Sequence, residues 1–272
     1  MVTGGGAGIG RGIATAMAAF GAALAISERD VDSCAAASES LGALGIVTDV
    51  RDSEQVDAAL KRTSAELGPV TTLVNNAGGA FFSPLLDTTE NGWDALYKTN
   101  LRHVLLCTQR VARQLVAARL PGSIINLRSI EGVRFAPGYA AYAAAKAGVI
   151  NYTKTAAFEL APQGIRVNAL APDITTTEWL MRLSAEGLSP DIGNAIPMGR
   201  LGHVDDIAGA AGVSRHRYGE LHHGTDDSRR RRNAGRRRVV PPSANGGLQV
   251  RARVAGYFRQ LPASIGSVTP VM

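Results

Sequence analysis

Thr3-Gly4-Gly5-Gly6-Ala7-Gly8-Ile9-Gly10 stands at the head of the chain and runs into an apolar helical stretch through Ala14 to Phe20. Glycines at this density let a backbone turn tightly and approach an anion, while the N–H groups and dipole at a helix start favour negative charge. The stretch therefore predicts a strand–loop–helix unit that cradles a pyrophosphate, in an α/β fold of alternating strands and helices. Reading Gly12 to Ile26 as a signal peptide finds no basic n-region, and Gly21 separates the helix from a second strand, Ala22 to Ile26. Only Met1 and Val2 precede Thr3, so the central strand is expected to be cut short, as a start codon assigned too late would make it.

Outward from this loop, Glu28 lies close to the roughly 20-residue offset at which an acidic side chain accepts from the adenosine ribose 2′-OH. A carboxylate there repels a 2′-phosphate and favours NAD; Arg29 beside it leaves NADP open, and a solvated charge at a strand end is the plainer alternative. Gly45 to Val50 reads as a third strand, with Asp49 and Val50 where an adenine edge would lie. Thr71 to Val74 reads as a fourth, ending in Asn75-Asn76-Ala77-Gly78.

The apolar run Ser123-Ile124-Ile125-Asn126-Leu127 reads as a buried strand, Ser129 follows it, and an Ala-rich helix begins after Pro137-Gly138. Tyr142 and Lys146 are i and i+4 on that helix, one turn apart on one face. An ammonium so placed favours the ionised phenol and lowers its pKa from about 10. With Ser129 positioned to hydrogen-bond the same oxygen, this outlines an acid–base site for a carbonyl or alcohol. Taken alone, such a pair is far more often an ordinary amphipathic surface than a catalytic dyad.

In order and approximate spacing, Thr3-Gly4-x-x-x-Gly8-x-Gly10, Asn75-Asn76-Ala77-Gly78, Asn100, Ser129 and Tyr142-x-x-x-Lys146 resemble the short-chain dehydrogenase/reductase family, over about residues 1 to 211. The resemblance implies a Rossmann-like, doubly wound parallel sheet with helices on both faces, strand order 3-2-1-4-5-6-7, and nicotinamide-dependent hydride transfer. It implies that Ser129 polarises the carbonyl oxygen, Tyr142 is the acid/base and Lys146 holds the nicotinamide ribose while lowering the tyrosine pKa. Asn100 would hold a water in a proton relay; read from the residues alone, an Asn in the helix Trp93 to Arg119 is a packing or kink residue. His103 on that helix reads as core or surface rather than catalytic. Thr3, Gly4, Gly8, Ile9, Gly10, Glu28, Asp49, Val50, Asn75, Ala77, Gly78, Tyr142, Lys146, Pro172, Ile174 and Thr177 are the implied cofactor contacts. Arg166 to Leu170 is the expected sixth strand, and residues 178–200, with Trp179, Leu180, Met181 and Leu183, the expected lid. Two positions depart from the pattern: Arg128, where a small residue is common, and Asp173, where glycine usually follows the proline.

At 272 residues with 45% hydrophobic content, the chain suits one large α/β domain. Its two cysteines, Cys34 and Cys107, show no ligand spacing, which argues for no metal site and a reducing, cytoplasmic setting. No apolar run is long enough to span a membrane. The formal charge of +6 is uneven: residues 212–272 hold twelve arginines, no lysine and three acidic residues, so the body is net acidic. Such a tail reads either as an arm for nucleic acid or a membrane surface, or as a shifted reading frame. The second is favoured. With codons chosen from the degenerate set, Gly212–Arg215, Tyr218–Thr225 and Asp226–Arg231 can be written so that one nucleotide later they read Val-Phe-Leu, Met-Ala-Asn-Tyr-Ile-Thr-Gly and Met-Ile-Pro-Val-Asp, in the order in which the family continues. The seventh strand is then missing and residues 212–272 are expected to be mostly disordered.

Three functions follow as expectations. The first is an NAD-favouring oxidoreductase that interconverts a secondary alcohol and a ketone, acting on a small molecule as a homo-oligomer. The second is an NADP-dependent reductase of 3-oxoacyl substrates. The third is a catalytically impaired product whose basic tail binds polyanions.

Overall fold

The computed structural model describes residues 1–178, 180–181, 196 and 198–215. The expected missing strand, the arginine tail beyond residue 215 and most of the expected lid, Trp179 and Leu183 among them, lie outside the described residues. The rest falls into two compact units: Met1–Asp173 with residues from Val204 on, and a smaller one within Ile174–His203.

In the first unit, strands and helices alternate: β1 (Val2–Thr3), α1 (Gly8–Ala19), β2 (Ala25–Glu28), α2 (Val31–Leu41), β3 (Leu44–Val47), α3 (Ser53–Leu67) and β4 (Thr72–Asn75). There follow α4 (Glu90–Tyr97), α5 (His103–Ala118), β5 (Gly122–Leu127), α6 (Ala140–Leu160), β6 (Ile165–Leu170) and α7 (Val204–Arg215). Local chemistry explains the starts. Asp30, Asp52 and Thr89 cap α2, α3 and α4, each side chain accepting backbone N–H groups of the first turn. α1 has no side-chain cap and no acidic residue in its first turn.

The six strands form one parallel sheet in the order β3-β2-β1-β4-β5-β6. Strands buried on both faces read as continuous apolar runs, and β5 is buried from Ser123 to Leu127. One core cluster joins the sheet to Leu60 of α3, Val111 and Leu115 of α5 and Ala157 of α6. The other joins it to Ile13 and Met17 of α1, Ala37 of α2 and Ala211 of α7. Helices thus cover both faces, and the strand order reverses between β1 and β4, where such sheets open a crevice at their carboxyl ends.

Beyond shifts of one residue at strand ends, three departures from the sequence expectation stand out. Ala22 belongs to the stop of α1 rather than to β2: Gly21 has φ 72° and the Ala22 N–H bonds back to the Met17 carbonyl at 3.1 Å. β3 ends at Val47, because Val50 turns into the core. The stretch Trp93–Arg119 is not one regular helix: a π-helical turn, Lys98–Arg102, joins α4 to α5 and carries Asn100.

Candidate active site

The glycine loop at the end of β1 is shaped by close backbone approach. A Cβ at Gly10 would lie 2.0 Å from the Gly4 carbonyl oxygen, and Gly4 and Gly8 have φ 61° and 53°. Thr3 ties the loop to β4: its hydroxyl donates to the Val74 carbonyl and accepts from the Asn76 and Ala77 N–H groups at 3.0 and 3.1 Å. Asn76, quoted in a motif but given no role above, donates its amide to the Thr3 and Gly4 carbonyls at 3.0 Å each. Ile9 packs on the core behind the loop.

Glu28 at the end of β2 accepts from Gly6 N at 3.2 Å through one carboxylate oxygen, and from Arg29 N at 2.7 Å and Asp30 N at 3.2 Å through the other. The carboxylate thus leans across the glycine loop. Asp49 is engaged by Arg51, whose guanidinium holds the carboxyl below its usual range against the opposing effect of burial. Val50 lies 8% exposed in the core, so its side chain does not face the crevice. Nor does that of Asn75, whose amide nitrogen donates to Thr108 Oγ1 and to Asn126 Oδ1, while Asn126 donates to Thr153. That buried amide–hydroxyl chain ties β4, β5 and α6 together.

At the ends of β4 and β5 the residues expected to do acid–base work converge. A Cβ at Gly78 would lie 3.0 Å from Asn100 Oδ1 and 3.4 Å from Lys146 Nζ, so these groups meet around a residue with no side chain. Asn100 is fully buried; its amide donates to the Gly79 and Leu96 carbonyls at 2.8 and 3.0 Å and its oxygen accepts from Gly79 N at 3.2 Å. It closes the loop after β4 onto the π-helical turn. Lys146 is 4% exposed, donates to the Leu127 carbonyl at 2.9 Å, and lies 5.6 Å from the centre of the Tyr142 ring.

Ser129 caps a short 3-10 turn, Ile130–Gly132, accepting from Glu131 N at 3.2 Å, and its side chain is near enough to the Tyr142 phenol to act on its pKa. Burial pushes the Tyr142 phenol above its ordinary pKa; the Ser129 side chain opposes the shift and the Glu131 carboxylate adds to it. This departs from the expectation that Lys146 lowers it. Burial brings the Lys146 ammonium down to about 8, so the cation that was to favour the phenolate is itself disfavoured by its surroundings.

The turn is fixed in place. Ile130 N donates to the carbonyl of Pro172 at 3.2 Å, and a Cβ on Gly132 would lie 2.9 Å from backbone atoms of Lys146 and Ala147. Arg128 continues the β5–β6 pairing through its N–H to the Leu170 carbonyl at 2.9 Å, half-buried rather than turned fully to solvent. Asp173 lies 3.5 Å from Arg134, which also pairs with Glu131. Phe82 packs edge-on against Tyr139, ring centres 5.7 Å apart. Sequence reasoning gave no role to Glu131, Gly132, Arg134, Phe82 or Tyr139, since nothing in their spacing points to the site; the fold assembles them.

His103 is buried, and desolvation with the nearby Lys146 charge holds its pKa down to about 3, so it is a neutral core residue. Ile174 and Thr177 belong to the smaller unit. There the Ile174 carbonyl accepts from Gly202 N at 2.9 Å and the Thr177 hydroxyl from Leu180 N at 3.3 Å.

Comparison with known proteins agrees with this geometry. Residues 4–213 match the family described as Enoyl-(Acyl carrier protein) reductase. The 3-oxoacyl-[acyl-carrier-protein] reductase FabG of Staphylococcus epidermidis is 39% identical over 214 residues, 76% of this chain and 87% of its own. A short chain dehydrogenase structure from Bacillus anthracis superimposes with a TM-score of 0.75 at 31% identity, covering 82% of this chain and 91% of that one. A structure titled ribose-5-phosphate isomerase from Brucella melitensis superimposes with a TM-score of 0.78 at 32% identity, covering 82% and 87%. One scaffold under such different names leaves the reaction to be argued from side chains at the strand ends.

Proposed function

Because the chain belongs to the short-chain dehydrogenase/reductase family of NAD(P)-dependent oxidoreductases, we propose that it interconverts a secondary alcohol and a ketone, with Tyr142 exchanging the proton. The observation that carries this reading is the buried ammonium of Lys146, 5.6 Å from the centre of the Tyr142 ring, with Ser129 just past the end of the strand to which Lys146 bonds. Ser129 donates to the reacting oxygen, Tyr142 gives or takes its proton at Oη, and Lys146 holds a positive charge where the phenolate forms. Asn100 keeps the surrounding backbone in place.

The crevice fits a dinucleotide. The close-packed glycines leave no side chain in the way, α1 starts in this loop with no acidic residue in its first turn to repel a pyrophosphate, and Glu28 stands at the proposed ribose position. A bound nicotinamide cofactor supplies the hydride acceptor for oxidation and the donor for reduction. Thr3, Gly4, Gly8, Ile9, Gly10, Asp49, the Val50 backbone, Ala77, Gly78 and Pro172 line the proposed path of the cofactor. The Glu28 carboxylate favours NAD.

A second reading, an NADP-dependent 3-oxoacyl reductase, is favoured by the name of the Staphylococcus relative. Assaying oxidation of secondary alcohols and reduction of 3-oxoacyl thioesters with each cofactor, beside Tyr142→Phe, separates the two. Loss of neither activity in the variant would end both.

The free, buried Cys34 and Cys107 accord with a reducing, cytoplasmic setting. Among the described residues no helix is long and apolar enough to cross a membrane. Exposed Val116 on α5 and Phe158 on α6 support homo-oligomer formation, which light scattering tests. The reading-frame shift in residues 212–272 stands as a proposal, tested by sequencing the gene through those codons.

A further inference from the structure

Tyr142 stands in the first turn of α6, and that turn starts differently from those of its neighbours. Asp30, Asp52 and Thr89 cap α2, α3 and α4 with their side chains, whereas Tyr139 at the start of α6 makes no such bond. The entry is shaped by a backbone turn instead. Pro137 and Gly138 occupy its two central positions, Tyr139 N donates to the Ala136 carbonyl at 3.0 Å, and Gly138 takes a φ of 77°, the left-handed value a type II turn demands there. The helix then opens with Ala143 N donating to the Tyr139 carbonyl at 2.8 Å, and that bond encloses Tyr142.

The segment that follows β4 holds this entry from outside. Ser83 N donates to the Gly138 carbonyl at 2.8 Å, the half-buried Phe82 ring meets Tyr139 edge-on, and a Cβ on Gly138 would run into the Phe82 ring. The segment is itself braced on both sides of Phe82. Asn100 bonds Gly79 on one side; on the other, Thr88 Oγ1 lies 2.9 Å from both Ser83 Oγ and the Pro84 carbonyl oxygen, next to the Thr89 cap of α4. Phe81 meets α4 as well, since a Cβ on Gly92 would lie 3.3 Å from the tip of its ring. Phe82 therefore joins a braced loop to a helix start that has no side-chain cap of its own.

We infer that Phe82 is a positioning residue for the proposed reaction: by holding Gly138 and Tyr139 it fixes the first turn of α6, and with it the place of the Tyr142 phenol. The inference rests on the dehydrogenase reading above. Helical side chains lean back toward the N-terminus of their helix, so the Tyr142 side chain leans toward the turn that Phe82 holds. Phe82 acts through α6 and not by touching substrate, so its loss lowers turnover of a small and a large alcohol by the same factor.

The test compares the full chain in wild type, Phe82→Ala, Phe82→Leu, Phe82→Tyr and Tyr142→Phe, reading kcat for oxidation of 2-propanol and of cyclohexanol with NAD or NADP, and amide hydrogen exchange along α6. Phe82→Ala is expected to lower kcat about tenfold or more, by factors that agree within about threefold between the two alcohols. Phe82→Tyr, which keeps the ring edge, is expected to stay within about threefold of wild type, with Phe82→Leu in between. In Phe82→Ala the Ala143 amide is expected to exchange faster, while the amides of residues 151–160 keep their protection. Should Phe82→Ala fail to fold, Phe82→Leu and Phe82→Tyr decide by the same readings. Unchanged kcat in Phe82→Ala beside Tyr142-dependent turnover by wild type overturns this inference alone. So does a loss confined to one alcohol, which makes Phe82 a wall of the substrate site, or a loss with no faster exchange at Ala143. Wild type without Tyr142-dependent turnover of either alcohol overturns it together with the dehydrogenase reading.

Discussion

The ammonium of Lys146 donates to the carbonyl of Leu127 at 2.9 Å, tying the helix that carries Tyr142 to the end of the strand that leads to Ser129. The tie is made by a charge in a desolvated place. Burial lowers the Lys146 pKa from 10.5 to about 8, so between those values the unfolded chain binds the extra proton more readily than the folded one. Stability consequently rises with pH through that window, and below pH 8 the buried charge costs on the order of 3 kcal/mol. Lys146→Met is expected to abolish turnover yet raise the midpoint of urea unfolding at pH 7, with the gain shrinking as the pH approaches 10. A variant destabilised equally at both pH values would show that the hydrogen bond to Leu127 outweighs the desolvation.

Activity should carry the signature of Tyr142. Its phenol is held above the ordinary value by burial, with the Glu131 charge acting in the same direction, so the phenolate that accepts a proton during oxidation is scarce near neutral pH. The rate of alcohol oxidation is expected to climb into the alkaline range, whereas reduction, which uses the protonated phenol, is favoured near neutrality. Glu131→Gln removes a negative charge beside the phenol and should move the alkaline limb of kcat/KM to lower pH. A profile that stays in place, or moves upward, contradicts the charge relationship.

Much of this architecture was legible before any coordinates. Glycine spacing, the apolar strand runs and the i, i+4 placement of Tyr142 and Lys146 report local structure, which sequence periodicity encodes. The helices on both faces and the order β3-β2-β1-β4-β5-β6 agree with the fold the family resemblance implies. What stayed hidden depends on distant partners. Glu131 owes its importance to Arg134, Pro172 and α6, and the pKa of Tyr142 to its burial, which spacing alone cannot register. Asn75 was named for the crevice because it sits in a glycine-ended motif, yet its amide is committed to Thr108 and Asn126 inside the sheet. The end of β3 was misplaced for a related reason: Val50 is apolar because it packs in the core, not because it extends the strand.

In the proposed function, cofactor choice turns on Glu28. Its carboxylate is pinned by three backbone N–H groups, at Gly6, Arg29 and Asp30, so it cannot swing aside cheaply for a 2′-phosphate. Glu28→Ala removes the repulsion and leaves Arg29 to pair with that phosphate. The ratio of kcat/KM for NAD to that for NADP is expected to fall by about one to two orders of magnitude, each tenfold step corresponding to about 1.4 kcal/mol. An unchanged ratio would mean that the ribose lies elsewhere.

Gly132 offers the sharpest separation of site geometry from general stability. A methyl group there would sit 2.9 Å from the carbonyl carbon of Lys146 and from the backbone nitrogen of Ala147, and backbone cannot yield as a flexible side chain would. Gly132→Ala must therefore lift the Ile130–Gly132 turn off α6 and carry Ser129 with it, away from the phenol. Overpacking of this kind costs about 1–3 kcal/mol of stability. A shift of about 1 Å between reacting groups costs on the order of a hundredfold in rate. The expected result is a folded protein with a modestly lower unfolding midpoint and a kcat reduced by about two orders of magnitude. The turn also touches Pro172 and Lys146, both proposed cofactor contacts, so cofactor affinity is expected to weaken too, but by less than turnover; if the two fall equally, the turn does not position Ser129 in the manner described.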